Sequence, residues 1–201
     1  IKRKVNKFNK QFKGSVELKV ARTPAELESF YAIALNMSKQ TYQARLLDAG
    51  LPEDDAYRQA IFAAAEEDAA RGYLLCADGQ PVSFLLLNSV DDVLLYEYLG
   101  YDASLNKWSP GTVLHWLAIE SLFEEKRFLA LDFTEGEGQQ KQTFGTNHVY
   151  CANVYCLRPS ARSYAVVLAH AGIAGVAKAA GDLADQAGLK AKVRKLIRDS
   201  G

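Results

Sequence analysis

The sequence has few of the residues that mark specialised classes of protein. It contains three cysteines and five prolines among 201 residues, and its 24 lysines and arginines balance 24 aspartates and glutamates. A sparse and odd set of cysteines excludes a disulfide-stabilised scaffold. A net charge of zero argues against a protein that binds nucleic acid over its whole surface, and an apolar content of 49% excludes a disordered chain. The length suits one sizeable globular domain or two small ones.

Long hydrophobic runs are also lacking. Unbroken apolar segments such as residues 84–87 are far shorter than the roughly 20 residues that cross a bilayer. The basic segment 1–14 is not followed by the apolar stretch that a signal peptide needs. The sequence therefore predicts no transmembrane segment and a cytoplasmic location. Because the chain starts without methionine and inside a helical pattern, we expect it to continue a longer protein.

The first fourteen residues have the pattern of a basic amphipathic helix. Ile1, Val5, Phe8 and Phe12 recur at helical spacing, lysines and arginine fill the positions between them, and no acidic residue comes before Glu17. One interpretation is a helix that touches a phosphate-rich partner, an acidic carrier or an anionic membrane. The other is a solvated helix that packs on a preceding segment. The sequence leaves both open.

The rest of the chain predicts an α/β fold with a mixed, mostly antiparallel sheet. Thr23, Pro24 and Glu26 form a capping box that starts a helix, and Asp78-Gly79 is a hairpin signal. The central strands are apolar almost throughout, so helices should cover both faces of the sheet. The predicted strands span residues 16–21, 73–76, 82–88, 93–101, 128–133 and 150–157. The predicted helices span residues 23–49, 52–70, 110–123 and 160–199, the last one divided near Gly181, with a short helix between residues 133 and 150.

The turn between the strand 93–101 and the helix after Pro110 is a candidate phosphate-binding site. The start of a helix offers unpaired backbone N–H groups and a positive dipole. Gly111 would let a phosphate approach the backbone closely, and Lys107 would add a cation. The same Ser-Pro-Gly sequence also begins many helices that bind nothing, so both interpretations stand on the residues alone.

Several spaced motifs resemble one branch of the GNAT N-acyltransferase superfamily. They are Tyr101-Asp102, Ser109-Pro110-Gly111, Leu131-Asp132-Phe133, Gly136, Lys141 and Phe144-Gly145. They resemble the acyltransferase domain of bacterial proteins for cellulose and exopolysaccharide biosynthesis, which is related to the Fem-type aminoacyltransferases. The resemblance covers residues 15–157. It leaves residues 1–14 as a basic helix and residues 158–201 as C-terminal helices.

The resemblance implies a site for acetyl-CoA or another acyl-CoA, and no metal. The pantetheine arm would run beside the strand 93–101, whose bulged end exposes backbone hydrogen-bonding groups. The residues that would bind the donor are Lys107, Ser109, Gly111, Thr112 and Val113. The family signature has further glycines and an arginine that this loop lacks. An acyl-carrier protein or an aminoacyl-tRNA therefore remains an alternative donor.

The resemblance also implies a catalytic group after the next strand. Acyl transfer to an amine needs a base that takes the ammonium proton, and Asp132 or Glu97 would serve. Lys141 would hold an anionic substrate or the developing negative charge. Structural alternatives are that Asp132 caps the following turn and that Lys141 is a surface cation. His148 is a weaker candidate base, and Glu135 and Glu137 lie nearby in the sequence.

The remaining histidines and cysteines predict no metal site. His115, His148 and His170 are far apart, without the spacing of zinc ligands. His115 is best interpreted as a packed or surface residue. Cys151 and Cys156 are expected to be buried on opposite faces of the strand 150–157.

Three functions follow from these observations. The first is an N-acyltransferase that moves an acyl group, with acetyl as the expected one, from acyl-CoA to an amine of a small molecule or a cell-envelope or polysaccharide precursor. The second is a transferase that uses a carrier protein or aminoacyl-tRNA. The third is a catalytically silent domain that binds a partner.

Overall fold

The computed structural model describes residues 1–13, 15–39, 50–136, 138–152 and 154–186. Residues 40–49 of the predicted helix 23–49, as well as Glu137 and the last part of the predicted C-terminal helices, lie outside these ranges. The strands are β1 (Val16–Ala21), β2 (Ala70–Ala77), β3 (Gln80–Val90), β4 (Val93–Tyr101) and β5 (Ala130–Asp132). The helices are α1 (Lys2–Gln11), α2 (Pro24–Lys39), α3 (Asp55–Glu66), α4 (Pro110–Glu125), α5 (Gln139–Phe144) and α6 (Ala161–Gln186), with a 3₁₀ helix at Ala103–Trp108.

The five strands form one sheet in the order β1-β2-β3-β4-β5. The first four strands are antiparallel to their neighbours, and β5 runs parallel to β4. Asp78 and Gly79 have φ angles of 51° and 76° in the turn that joins β2 to β3. This left-handed pair matches the twist of a two-residue hairpin. The predicted fold class, a mostly antiparallel mixed sheet with flanking helices, is confirmed.

Helices cover both faces of the sheet, as the apolar strands predict. α2 and α3 bury Phe30 and Ile61 against one face, beside Phe84 and Leu86. α1 and α4 bury Phe8 and Val113 against the other, beside Leu85 and Leu87 of β3. Removing each such side chain from water stabilises the fold by about 1.5–3 kcal/mol. The sheet is therefore the central layer of three.

The capping box predicted at the start of α2 is present. The Thr23 N–H donates to the Glu26 carboxylate at 3.0 Å, and the Glu26 N–H donates to the Thr23 hydroxyl at 3.3 Å. These two hydrogen bonds satisfy N–H groups that a helix start leaves free. The two hydrogen bonds therefore fix the residue at which α2 begins, directly after the chain leaves β1.

α1 packs on the same fold that it precedes. Its stripe residue Phe8 is fully buried with the residues of α4, and Val5 and Phe12 pack around it. Its basic side chains stay exposed, among them Lys4 and Lys10. The apolar face of this helix therefore has its partner within the chain, and the cationic face is free to meet solvent or another molecule.

The predicted helix 52–70 was too long at both ends. α3 begins at Asp55, after Asp54 accepts a hydrogen bond from the Ala56 N–H at 3.1 Å. It ends at Glu66, and Asp68 takes a φ of 56° that no helix continues. Arg71-Gly72, predicted to end this helix, instead belongs to β2. The alanine-rich sequence favours helix locally, but pairing with β1 and β3 decides the conformation from Ala70 onward.

The predicted strand 150–157 was wrong. No strand is assigned within its described residues, and Tyr150, Val154 and Tyr155 are more than four-fifths exposed. Cys151 and Cys156, expected to be buried, are exposed. An alternating apolar pattern becomes a strand only where a neighbouring strand takes up its N–H and C=O groups. The local sequence cannot supply that neighbour.

Residues Ile1–His148 and Val149–Gly201 form two separate units. In the second unit α6 runs without a break through Gly181, so the predicted division there was wrong. Its segment Ala161–Leu183 is 23 residues long with a mean hydropathy of 1.3, which is enough to cross a membrane by length and composition. By length and composition alone this segment is a candidate span, so the expectation that the chain lacks one stays a prediction. That expectation rested on unbroken apolar runs, whereas here alanines between the larger apolar residues raise the mean hydropathy. The predicted boundary at residue 157 stays a prediction.

Candidate active site

A β-bulge interrupts β4 at Glu97. Tyr96 pairs with Leu87 of β3 and Tyr98 with Leu86, so Glu97 has no residue opposite it. An extra residue of this kind bends the strand and leaves its backbone groups out of the ladder. The expectation of a bulge in this strand is confirmed, and the bulge lies in the middle of β4.

β4 and β5 pair over only three residues. Val93, Leu94 and Leu95 pair with Ala130, Leu131 and Asp132, after which β5 ends. From Tyr96 to Tyr101, the edge of β4 that faced β5 has no strand beside it in the described part of the chain. The bulge and the start of this open edge therefore coincide. Unpaired N–H and C=O groups along such an edge are ready to bind an extended ligand.

The open edge leads to the start of α4. The 3₁₀ helix ends at Ser109, which takes a left-handed conformation with φ 55° and ψ 51°. The N–H groups of Thr112 and Val113 both donate to the Ser109 carbonyl, at 3.0 and 3.1 Å. Pro110 has no N–H, so Gly111 offers the remaining donor of this first turn. Thr112 and Val113 stay predicted donor-binding residues through the dipole of the helix start.

Gly111 has a packing role that the sequence did not reveal. A Cβ atom added there would lie 3.1 Å from Leu99 Cδ2 and 3.1 Å from Tyr101 Cδ1. The glycine therefore lets the first turn of α4 lie directly against the open half of β4. The close packing of helix and strand is sufficient to explain why a glycine stands at position 111. Close approach of a phosphate would explain it equally well.

Two lysines meet beside this turn. The Lys7 ammonium of α1 donates to the Lys107 carbonyl at 3.2 Å and lies 4.7 Å from the centre of the Trp108 ring. The Lys107 ammonium lies 5.2 Å from the centre of the same ring. The sequence predicted Lys107 here, but the contribution of Lys7 follows from the packing of α1 and was missed.

Glu97 is held on the face of the sheet that carries α2 and α3. Its carboxylate accepts a hydrogen bond of 2.7 Å from the Tyr57 hydroxyl of α3. Burial, together with this carboxylate, raises the pKa of Tyr57, so the tyrosine remains a donor. The carboxylate thus has a fixed orientation beside the bulge.

Asp132 and Lys141 lie at the end of β5 and on α5. The Asp132 carboxylate is exposed and accepts from the Thr134 N–H at 2.7 Å, which is the turn-capping role given as its structural alternative. The Lys141 ammonium donates to the Thr134 carbonyl at 3.2 Å and to the Glu135 carbonyl. It lies in α5, which starts at Gln139 within the region where the sequence predicted a short helix. Both side chains therefore order the connection that follows β5.

A cluster centred on the buried His115 side chain lies between β4, α4 and α5. Its members, which we call the His115 cluster, are Tyr96, His115, Phe133, Gln140 and Phe144. The His115 side chain is fully buried, and its ring stacks on Phe144 with centroids 4.1 Å apart. Tyr96 and Phe133 each lie 5.2 Å from it, centroid to centroid.

The polar atoms of this cluster are only partly satisfied. The Gln140 amide nitrogen lies 3.1 Å from His115 Nδ1. His115 Nε2 and the Tyr96 hydroxyl make no hydrogen bond to any described residue. Burial lowers the pKa of His115 to about 4, so the ring is neutral at pH 7. Burial also raises the pKa of Tyr96, and the nearby Gln140 amide offsets part of that rise.

The sequence left His115 as either a packed or a surface residue, and this cluster was not predicted. A signal was present, because His115 lies four residues after Gly111 and three before Ala118, on the buried face of the helix. The partners come from β4, from the residue that follows β5 and from α5, and only the fold brings them together. Among the described residues, no group of three or more histidines, cysteines and acids could hold a metal ion. His148 is exposed.

Comparison with known protein families identifies the family of this chain. Residues 1–142 match the family model described as the acetyltransferase (GNAT) domain, which is more than two thirds of the chain. The chain belongs to the GNAT acetyltransferase family. It is therefore an enzyme of the N-acetyltransferase type, as the motifs predicted, and acetyl-CoA is the donor that this family uses. A search among proteins of curated function finds no match to the chain.

Solved structures share the fold at low sequence identity. One is an aminoglycoside acetyltransferase from an uncultured soil metagenomic sample in complex with trehalose. It has a TM-score of 0.51 and 10% identity, over 72% of this chain and 97% of that chain. The same acetyltransferase in complex with sisomicin gives 0.51 and 10%, over 74% and 99%. A second soil metagenomic aminoglycoside acetyltransferase gives 0.50 and 11%, over 71% and 99%. At this level of identity these similarities concern the fold alone.

Proposed function

We propose that this GNAT protein transfers an acetyl group from acetyl-CoA to the amine of a small molecule or a cell-envelope or polysaccharide precursor. The observation that carries the proposal is the bulge at Glu97, which stands where β4 loses its β5 partner. It combines an open strand edge for an extended donor with a carboxylate at the same point. The location in the cytoplasm stays a prediction.

The donor is proposed to lie along the open half of β4. Its pantetheine arm has amide groups that suit the unpaired backbone of Tyr96–Tyr101. Its phosphates suit the start of α4, where the Gly111 N–H and the helix dipole favour negative charge. Lys107 and Lys7 lie beside that turn, and Ser109 forms it. The residues present therefore fit acetyl-CoA despite the single glycine of the loop.

Acetyl-CoA supplies a thioester, and the chain must supply a base and hold the reactants in place. The amine nitrogen attacks the thioester carbonyl carbon, the carbon–sulfur bond breaks, and the thiolate leaves. The nitrogen loses one proton, which we assign to Glu97 because its carboxylate is fixed beside the bulge by Tyr57. Asp132 is the second candidate base, and its exposed carboxylate accepts from the Thr134 N–H in the turn after β5.

Lys141 is proposed to act on the acceptor side. Its ammonium is bound to the Thr134 and Glu135 carbonyls, so it orders the connection between β5 and α5. A positive charge held there suits an acceptor with a carboxylate or phosphate. An amino sugar is the acceptor class that we favour, because structural neighbours include aminoglycoside acetyltransferases and the motifs resemble the exopolysaccharide branch.

A second donor is favoured by one separate observation. α1 exposes its basic face next to the turn that starts α4, where Lys7 reaches Lys107. An acidic carrier protein with a phosphopantetheine arm, or an aminoacyl-tRNA, would meet positive charge at that entrance. Affinity for such a donor would fall steeply with salt. A partner-binding domain without activity is the third outcome of the experiment below.

Calorimetry and a thiol-release assay test these proposals together. We expect the wild-type protein to bind acetyl-CoA and to release CoA thiol with an amine-bearing sugar among a panel of amines. Glu97→Gln should lower turnover by roughly 10²–10⁴-fold, since it keeps the shape but cannot take a proton. Acetyl-CoA affinity should stay unchanged.

Asp132→Asn is the matched comparison for Glu97→Gln. If Asp132→Asn lowers turnover and Glu97→Gln does not, Asp132 and not Glu97 is the catalytic base. Binding of acetyl-CoA without turnover on any amine would support the silent domain. Absence of acetyl-CoA binding, with salt-sensitive binding of carrier protein or tRNA, would favour the second donor.

A further inference from the structure

The His115 cluster contains two polar atoms that the fold itself does not use. His115 Nε2 and the Tyr96 hydroxyl are both buried without a hydrogen-bond partner among the described residues. Unpaired polar groups in a protein interior oppose folding, and native structures rarely keep them without a reason. Here the two belong to neighbouring rings whose centroids are 5.2 Å apart. The other two unpartnered atoms, on Tyr73 and Asn88, do not share this cluster.

The hydrogen bond with Gln140 defines what these atoms offer. The Gln140 amide nitrogen faces Nδ1, and an amide nitrogen can only donate. Nδ1 therefore accepts, and the ring proton is on Nε2. The Tyr96 hydroxyl keeps its proton as well. The cluster thus presents two uncharged donors, and the group that satisfies both is an uncharged oxygen acceptor such as a carbonyl.

Charged ligands do not suit this position. A phosphate needs a cation, and the His115 cluster supplies none, because His115 is neutral at pH 7. An ammonium group needs a carboxylate, and the cluster contains none, since Glu97 lies with Tyr57 on the other face of the sheet. The aromatic rings of Phe133 and Phe144 complete an apolar wall around the two donors.

The cluster also has a defined place along the open strand. Tyr96 is the first residue of β4 beyond its pairing with β5, and it directly precedes the bulge. We propose that the His115 Nε2–H and the Tyr96 hydroxyl bind a carbonyl oxygen of the pantetheine arm of the donor. This inference rests on the proposed acetyl-CoA function. Since neither atom reaches solvent, the proposal requires α5 to move away from His115 when the arm enters.

The test compares two probes that differ in the pantetheine arm. Acetyl-CoA has the arm, and 3′-phospho-ADP is the same nucleotide without it. We expect His115→Phe to weaken acetyl-CoA binding by about three- to tenfold, the effect of one hydrogen bond. Its affinity for 3′-phospho-ADP should equal that of the wild type. Phenylalanine can pack between the same aromatic rings as His115. The urea concentration at the unfolding midpoint of His115→Phe should therefore be no lower than that of the wild type at pH 7.

Tyr96→Phe provides a second variant, with Tyr73→Phe as its control. Both remove a buried hydroxyl from the same face of the sheet, but Tyr73 lies on β2, away from the open edge. Tyr96→Phe should weaken acetyl-CoA binding about as much as His115→Phe, and Tyr73→Phe should leave it unchanged. These results hold even if one of the variants folds poorly, since each is compared with its own 3′-phospho-ADP affinity.

Several outcomes would overturn the inference. If both His115→Phe and Tyr96→Phe bind acetyl-CoA with wild-type affinity, this inference is wrong, but the proposed function is unaffected. Equal losses for acetyl-CoA and 3′-phospho-ADP, together with a lower unfolding midpoint, would make the cluster structural. A wild-type protein that binds neither probe would overturn the proposed function, and this inference with it.

Discussion

Each end of α4 meets one of the two fully buried basic side chains in the described part of the chain, His115 and Arg71. Near its start, His115 has one ring nitrogen bound and the other unpaired. At its end, Glu125 binds Arg71, whose side chain is fully buried on β2. The same helix therefore joins a polar site that is incomplete to one that is complete.

The complete site is a network around the Arg71 guanidinium. Arg71 donates to the Glu125 carboxylate at 2.5 and 3.2 Å, to the Ala70 carbonyl at 2.8 Å and to the Asp68 carbonyl at 3.2 Å. Arg22 binds Glu125 from outside at 3.2 Å. Burial opposes the charge, but the hydrogen bonds and the charge of Glu125 outweigh it and raise the pKa of Arg71.

The two sites differ in whether their hydrogen bonds are complete. The Arg71 network is completed within the chain, whereas the His115 cluster keeps a donor that a ligand can use. A buried charge is tolerated only when paired and hydrogen-bonded, and Arg71 meets that condition entirely within the chain. His115 avoids the cost of charge by staying neutral, but it leaves one donor unused. We therefore expect changes at Arg71 to affect stability, and changes at His115 to affect binding.

The largest expected effect is on the network at the end of α4. Arg71→Met should lower the free energy of unfolding by about 3–5 kcal/mol, because it leaves Glu125 buried with only the exposed Arg22 as partner. Urea unfolding measures the loss. The double variant Arg71→Met/Glu125→Met should recover much of it. If the double variant is as unstable as the single one, packing and not pairing explains Arg71.

The next effect is a pH dependence that originates at His115. Its pKa is about 4 in the folded protein, below its ordinary value of 6.5. The folded state thus resists protonation of His115. The stabilising contribution of the neutral ring to the free energy of unfolding is complete above about pH 6.5 and is lost as the pH falls toward 4. The free energy of unfolding should fall on the order of 3 kcal/mol across this window. His115→Phe should remove this part of the pH dependence while carboxylates continue to titrate, and identical profiles for both proteins would refute the assignment.

A smaller effect is expected at Gly111, one turn before His115. Gly111→Ala places a Cβ 3.1 Å from both Leu99 and Tyr101, so α4 must move slightly away from β4. We expect a loss of about 1–3 kcal/mol in the free energy of unfolding, with weaker acetyl-CoA binding because the start of the helix is displaced. Loss of donor binding at unchanged stability would instead support a direct phosphate contact at this glycine.

The smallest effect is expected for Arg22, the exposed member of the network. Its ion pair with Glu125 is half in solvent, so Arg22→Met should lower the free energy of unfolding by less than about 1 kcal/mol. The loss should shrink further in high salt. A loss as large as that of Arg71→Met would mean that Glu125 depends on both arginines equally, and the contrast drawn here would need revision.

The sequence by itself determined the features that depend on neighbouring residues. Thr23 and Glu26 form a capping box wherever that segment lies, and Asp78-Gly79 makes its hairpin from local backbone preferences. The apolar strands required helices on both faces, and the spaced motifs around Gly111, Asp132 and Lys141 resembled the family that the comparison then identified. Local patterns could carry this much because capping, turns and amphipathic faces act over a few residues.

Only the tertiary structure decided what depends on residues far apart in sequence. Ala70-Arg71-Gly72 reads as the end of a helix until β1 and β3 pair with it. Glu97 becomes the bulge because β3 has no residue to place opposite it, and Tyr57 then orients it from another layer. His115 meets Tyr96, Phe133 and Gln140 only because β4, β5 and α5 converge on α4. Long-range pairing sets these positions, and a local pattern holds no information on which partner arrives.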